Sequence, residues 1–281
     1  MISICLKSTN ISALNSIENY LDNTTFSEIY YSQKKFKYFN NIILHYRGNK
    51  PIQFYKKLSK ILSEYVINNC EQNFVKQQLS FDFFYFSESE KKIIERSTIK
   101  NLNSDINKKR KLEILQNCIE DYFESSSSCN LEGFINFRLY NYKNFINLIL
   151  EHTINDYIIQ KEYLDYVNLL KEYINIQTPQ SETVHLVYNN TTKLLLDDSK
   201  NVIANTINQQ IYLSDISFSS NDFILNSLLS LLPNKIFVHL NNAVEDNFIK
   251  FLKEIFKNRL IICNNCSICN LYLQIGDGAK K

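Results

Sequence analysis

The first part of the chain alternates between two hydrophobic periods. The run ISICLK has apolar residues at every second position, which is typical of a half-buried strand, and Leu14, Ile17 and Leu21 then recur at the spacing of a helix face. Two β-rich runs, SEIYYSQ and NNIILHYRG, flank the polar stretch QKKFKY and predict a hairpin. A longer helical face follows in IQFYKKLSKILSEYVINNC. Together these patterns predict a small N-terminal α/β unit over residues 1–78.

Residues 79–177 show mainly the helical period. Ser87 and Glu90 form the S-x-x-E pattern of a capping box, so we expect a helix to begin directly after Ser87. Two further helices are predicted at about 105–124 and from about 131 onward, with ESSSSCN as the loop between them. This region is therefore predicted to be a central helical segment.

Residues 178–275 return to mixed periods. TVHLVYN and KLLLDD predict two strands, and SNDFILNSLLSLLP predicts a helix that Pro233 terminates. KIFVHL, VEDNFIKFLKEIFKNR and LIIC then follow one another as strand, helix and strand, an order that predicts a parallel βαβ unit. We expect a C-terminal α/β unit, a disordered tail at 276–281, and a fold class that mixes α+β and α/β.

Composition excludes several common activities. Apolar residues make up 44% of the 281-residue chain, which is typical of folded protein, and the formal net charge of +2 provides no broad basic field for nucleic acid. The four glycines cannot form a G-x-G-x-x-G or G-x-x-x-x-G-K loop, and neither H-E-x-x-H nor G-x-S-x-G occurs. We read no signal peptide and no membrane span, so we expect a cytoplasmic protein whose seven cysteines are thiols.

Lys108 to Lys111 form a basic quartet that we interpret as a solvated face, with an anionic partner as the alternative.

The sharpest chemical candidate lies near the C-terminus. Cys263, Cys266 and Cys269 are spaced three apart. Cys263 lies at the carboxyl end of the predicted strand LIIC, and His239 lies at the carboxyl end of KIFVHL. Ligands collect at the carboxyl ends of parallel strands, so His239 can complete a Cys₃His set for zinc or an iron–sulfur centre. A redox thiol pair and a packed turn that binds nothing are the alternatives.

A second candidate is Arg138. It falls within an apolar stripe that includes Leu131, Phe134 and Tyr142, where a lone buried charge is costly. We therefore expect Arg138 to be at least half buried and paired, with Glu132 or Asp156 as partner. A ligand or partner contact of Arg138 and Glu132 is the functional alternative.

The chain also resembles a known family. The run LEGFINFRLYNYKNFINLILEH, with VHLVY, LLSLLPNKIFVHL and RLIICNNCSIC, resembles the YtxC-like family of sporulation proteins of endospore-forming bacteria. The pattern E-G-F-x-N-F-R-L, from Glu132 to Leu139, is its most specific part, and the cysteine run is similar to the family's C-terminal pattern. The resemblance implies a cytosolic role in spore formation and implies no reaction, cofactor or catalytic residue.

These observations leave three functional hypotheses. The first is a non-enzymatic binding or adaptor protein with protein partners in the sporulating cell and no cofactor. The second is a zinc, iron–sulfur or thiol-redox protein that uses the cysteine run. The third is a nucleic-acid-associated protein that uses the Lys108 quartet, against which the near-neutral charge counts.

Overall fold

The computed structural model describes residues 2–22, 28–188, 193–205, 212–213, 216–217, 219–240, 245–263 and 265–270. The predicted tail at 276–281 lies outside the described residues. The chain forms two compact units, Met1–Ile159 and Gln160–Lys281, and each is described by itself. The division into segments 1–78, 79–177 and 178–275 stays a prediction.

The first unit combines a four-stranded sheet with helices. The elements that begin in it are β1 (Ile2–Ser8), α1 (Ile11–Asp22), β2 (Ile29–Lys35), β3 (Asn40–Tyr46), α2 (Pro51–Asn69), α3 (Glu71–Phe81), α4 (Glu88–Leu102), α5 (Asp105–Ser125), β4 (Ser128–Asn130), α6 (Leu131–Phe137) and α7 (Tyr140–Ile176). The helix α7 continues into the second unit.

The sheet of the first unit has the order β2-β3-β1-β4. The predicted hairpin is present, since β2 and β3 pair antiparallel with Lys35 opposite Asn40. One sheet face carries Ile4, Leu6, Ile42 and Leu44, which are fully buried against the helices. This is the alternation expected of strands with one face in the core.

Two expectations for the helical segment have different outcomes. The capping box is confirmed: the side chain of Ser87 accepts a hydrogen bond from the backbone N–H of Glu90, the Glu90 carboxylate accepts from the Ser87 backbone, and α4 begins at Glu88. The stretch read as the loop ESSSSCN instead contains β4, which pairs with β1 in parallel. Cys129 lies buried in the core there, so a long-range strand pairing overrides the local turn composition.

The second unit is built around a five-stranded mixed sheet. Its elements after α7 are β5 (Ser181–Tyr188), β6 (Lys193–Leu196), β7 (Val202–Asn205), β8 (Tyr212–Leu213), β9 (Ile216–Ser217), α8 (Ser220–Leu231), β10 (Pro233–His239), α9 (Asn247–Phe256) and β11 (Leu260–Cys263). The order in the main sheet is β11-β10-β5-β6-β7, and β8 and β9 form a separate two-stranded ribbon.

The predicted βαβ unit is confirmed. The strands β10 and β11 pair in parallel with α9 between them along the chain, and β10 also pairs in parallel with β5. The core of the unit lies on one face of this sheet, where Val184, Ile236 and Val238 pack against α8, α9 and the last turns of α7. The fold as a whole is a mixed α+β fold containing parallel strands. Among the described residues, none of the helices combines the length and the apolar character of a membrane span.

Candidate metal centre

The candidate site begins at two neighbouring strand ends. His239 is the last residue of β10, Cys263 is the last residue of β11, and the two stand directly opposite each other in the parallel pairing. Register partners point to the same face of a sheet, so both side chains lie on the face opposite the main core of the unit. The predicted neighbourhood of His239 and Cys263 is therefore present.

A short helical turn brings the other two cysteines back to the strand ends. Residues 267–270 are helical, and the backbone N–H of Asn270 donates to the carbonyl oxygen of Cys266 at 3.1 Å. The sulfurs of Cys266 and Cys269 lie 3.8 Å apart, as do those of Cys269 and Cys263. The Nδ1 atom of His239 lies 3.3 Å from the Cys269 sulfur and 3.4 Å from the Cys266 sulfur.

These separations match the ligand spacing of a single tetrahedral ion. Zinc binds thiolate sulfur at about 2.3 Å and imidazole nitrogen at about 2.0–2.1 Å, so tetrahedral angles place two sulfurs about 3.8 Å apart and sulfur and nitrogen about 3.6 Å apart. All four ligand atoms of the chain lie within 4.8 Å of one another. Within the described parts of the chain, this is the one group of three or more such side chains that converges in this way.

The imidazole of His239 has the neutral charge state that a metal ligand requires. Its side chain is buried, and burial, followed by the neighbouring His185, lowers the pKa of His239 to about 4, so the imidazole is neutral at neutral pH. Its Nε2 atom lies 3.1 Å from Nδ1 of His185. If Nδ1 of His239 held a metal ion, Nε2 would carry the proton and would donate it to Nδ1 of His185, which would fix the ring orientation.

The pKa values of the two thiols on the turn are shifted in opposite directions. Burial raises the pKa of Cys269 to about 11. The backbone hydrogen bond from Cys266 lowers this pKa, but by less than burial raises it. Burial also raises the pKa of Cys266, but hydrogen bonds from the Cys269 backbone, the Cys263 thiol and the Ile268 backbone outweigh it, so the net shift is downward. A cation bound here would displace the protons of these thiols.

An apolar patch surrounds the site on this sheet face. The side chains of Val187, Leu194, Leu196 and Ile268 form a small buried cluster with Cys266 packed against it. Ile268 lies on the same turn as Cys269, so the packing of this turn onto the sheet also places the thiol of Cys269 beside the strand ends. Apolar neighbours lower the local dielectric constant and strengthen the attraction between thiolates and a cation.

His185 is a neighbour of the candidate site that the sequence analysis did not include. The alternation of TVHLVY places it on the same face of β5 as Val187. The register puts Val187 opposite His239, which places His185 one step along the same face. The signal was present in the strand period, but the pairing of β5 with β10 was needed to use it.

The structure corrects the expectation for Arg138. The helix α6 ends at Phe137 and α7 begins at Tyr140, so the apolar stripe is not continuous and Arg138 occupies the break. Arg138 is exposed, and it lines a surface depression with Asp121. The expectation that Arg138 is a buried, paired member of the stripe is therefore wrong, because the break between the helices turns it outward.

The two carboxylates expected to pair with Arg138 are engaged elsewhere. Asp156 lies 3.1 Å from Nδ1 of His152. The Oε1 atom of Glu132 accepts hydrogen bonds from the Ser8 hydroxyl at 2.6 Å and from the Thr9 backbone N–H at 2.9 Å. Glu132 thus holds the turn between β1 and α1, while a binding role for Arg138 and Glu132 stays a prediction.

The four residues of the basic quartet differ in their burial. Residues 108–110 are exposed, as expected of a solvated face, but Lys111 is fully buried. Its Nζ atom donates to both carboxylate oxygens of Glu71 and to Oδ1 of Asn103, each at 2.9 Å, and the hydroxyl of Tyr142 also donates to Glu71. These contacts satisfy all three Lys111 donors, so this residue is part of the core.

Comparison with known proteins gives one match. The family model described as the YtxC-like family matches residues 56–261, which include His239 and end before Cys263. No curated protein and no solved structure matches the chain. Because the family model covers well over half of the sequence, the chain belongs to the YtxC-like family.

Proposed function

We propose that this protein is a non-enzymatic adaptor that binds other proteins and that carries one zinc ion held by Cys263, Cys266, Cys269 and His239. The observation that carries the proposal is the convergence of three sulfurs and one imidazole nitrogen within 4.8 Å of one another, with four of the pairs 3.3 to 3.8 Å apart. The four residues come from two strand ends and one turn, so the ion would join these parts of the second unit.

The donor set favours a structural role over a catalytic one. Zinc sites that stabilise a fold use four protein ligands, whereas catalytic sites keep one position open for water or substrate. Here the chain offers four ligand atoms within 4.8 Å of one another, enough for a closed site, and His239 and Cys269 are buried. In a [4Fe–4S] cluster each thiolate binds a different iron atom, so its sulfurs stand farther apart than the ligands of one ion, and the 3.8 Å sulfur separations favour a single metal ion over such a cluster.

The cellular role rests on the family. The E-G-F-x-N-F-R-L run and membership of the YtxC-like family support a cytoplasmic role in the sporulation of an endospore-forming bacterium, as a binding or adaptor protein. A closed metal site supports this role because it stabilises a surface without performing a reaction. Affinity capture from sporulating cells tests it: recovery of the same proteins from vegetative cells in equal amount would contradict a sporulation-specific role.

Elemental analysis tests the metal site. The full chain is purified without oxygen or chelator, and we expect one zinc per chain. Cys266→Ser and His239→Phe each remove one ligand and should lower the zinc content several-fold, whereas Cys118→Ser, which changes a cysteine of the first unit, should leave it unchanged. Cobalt substitution should produce the visible bands of a tetrahedral thiolate site in the wild type and in Cys118→Ser.

Two results would overturn the proposal. One is a zinc content far below one per chain, unchanged by the Cys266→Ser substitution. The other is a metal-free protein in which Cys269 forms a reversible disulfide with Cys263 or Cys266, which would support the thiol-redox alternative instead. Mass spectrometry after thiol alkylation separates these two outcomes.

A further inference from the structure

The β2–β3 hairpin of the first unit ends in an exposed tip. The last paired residues are Lys35 and Asn40, and the four residues between them form a turn closed by a hydrogen bond from the Phe36 N–H to the Phe39 carbonyl oxygen at 3.0 Å. Every side chain of residues 34–39 is exposed. We name these six residues, KKFKYF, the hairpin tip.

The hairpin tip presents aromatic rings to the outside. Tyr38 is 75% exposed, Phe36 52% and Phe39 38%. The rings of Phe36 and Phe39 contact each other with centroids 5.3 Å apart, and the Lys37 ammonium lies 5.2 Å from the Tyr38 ring centroid. Three aromatic side chains in one short turn are therefore held at the surface rather than folded back into the core.

The same tip is strongly cationic. Lys34, Lys35 and Lys37 lie within the same six residues as the three aromatic side chains. Between Glu28 and Glu64 the sequence contains eight lysines and arginines and no aspartate or glutamate, although the whole chain has a net charge of only +2. The local charge is therefore positive in a protein that is nearly neutral overall.

We infer that the hairpin tip docks onto the surface of an anionic lipid bilayer. Lysines beside an acidic membrane interact with its headgroup phosphates, and aromatic side chains settle at the level of the headgroups, where one end is apolar and the other wet. A tip only six residues long projects from its sheet, which suits a flat lipid surface. A single-stranded nucleic acid requires a longer groove that follows its backbone, so it fits this feature less well.

The binding is expected to be peripheral and reversible. Each cationic residue near an anionic surface contributes about 1 kcal/mol, which is about fivefold in affinity. Salt screens this attraction, so vesicle binding should weaken as ionic strength rises. The hairpin tip belongs to the first unit, whereas the proposed metal ligands belong to the second.

Vesicle co-sedimentation of the full chain tests the inference. We expect binding to vesicles of phosphatidylcholine mixed with phosphatidylglycerol and far weaker binding to phosphatidylcholine alone. Lys34→Glu with Lys37→Glu should lower the affinity at least about 25-fold, since two lysines are removed. The matched control, Lys108→Glu with Lys109→Glu, changes two exposed lysines elsewhere in the same unit and should change the affinity little.

A fluorescent reporter locates the contact. The sequence contains no tryptophan, so Tyr38→Trp places a single indole at the tip. Its emission should shift to the blue on addition of the anionic vesicles and should be quenched by lipids with brominated acyl chains. Absence of both changes, equal losses in the two charge-reversal variants, or a response to a single-stranded oligonucleotide but not to vesicles would overturn the inference.

Discussion

His239 illustrates how much a single side chain depends on its neighbours. Its ring is buried between a histidine on one side and thiols on the other, and burial together with His185 keeps it neutral. A neutral imidazole with one nitrogen facing sulfur and the other facing a hydrogen-bond acceptor is the arrangement that metal-binding histidines use. Each feature would be unremarkable alone, and only their combination indicates a site.

Lys111 is a charged residue whose removal should strongly destabilise the first unit. Lys111→Ala leaves the Glu71 carboxylate buried without its cation, so the free energy of unfolding should fall by about 3–5 kcal/mol. Urea denaturation followed by circular dichroism measures this. Lys109→Ala, an exposed neighbour in the same quartet, should change it by less than about 0.5 kcal/mol. Equal effects of the two substitutions would contradict the assignment of Lys111 to the core.

At the scale of elements, Glu132 connects the start of α6 to the turn between β1 and α1. Its partial burial alone would raise its pKa, but hydrogen bonds from Ser8, from the backbone and from the Thr9 hydroxyl outweigh burial and hold the pKa below the usual 4.5. The folded state therefore binds fewer protons here than the unfolded state. The stabilisation is complete above the usual pKa and is lost as pH falls through the lowered folded-state value.

This sign predicts a pH dependence. Glu132→Gln should make the protein less stable than the wild type at neutral pH, and the difference should shrink as the pH falls below about 4.5, where the wild-type carboxylate becomes protonated. Urea midpoints measured across this pH range test the prediction. Glu113→Gln, at an exposed position of α5, is the control and should follow the wild type. A difference that grows on acidification would contradict the assigned role of Glu132.

At the scale of the whole molecule, the two compact units should respond differently to loss of metal. An ion that binds only the folded state adds about 2.7 kcal/mol when its free concentration is a hundred times its dissociation constant. If zinc is bound at the proposed site, a chelator should therefore accelerate amide hydrogen exchange in β10, β11 and residues 265–270. Amides of α2 and α5, in the first unit, should be unaffected. Uniform acceleration in both units, or none in β11, would contradict a local structural ion.

Several features of this protein followed from the sequence alone. The strand–helix–strand order at 234–263 predicted parallel pairing, because two strands that are joined through a helix and lie side by side in one sheet usually run in the same direction. The S-x-x-E pattern at Ser87 predicted the start of α4, because the capping hydrogen bonds are local. The four candidate ligands were also predicted from the sequence. The hydrophobic period shows where the strands of His239 and Cys263 end, and the three-residue spacing adds Cys266 and Cys269.

Only the tertiary structure decided the features that depend on pairing between distant segments. The register of β10 with β11 placed His239 opposite Cys263, and the turn at 267–270 set the sulfur separations, neither of which a period of two or of 3.6 residues specifies. The break after Phe137 turned Arg138 outward, and the packing of distant helices buried Lys111 against Glu71. Hydrophobic periodicity determines which face of an element is apolar, but the contacts between elements determine which polar group on that face finds a partner.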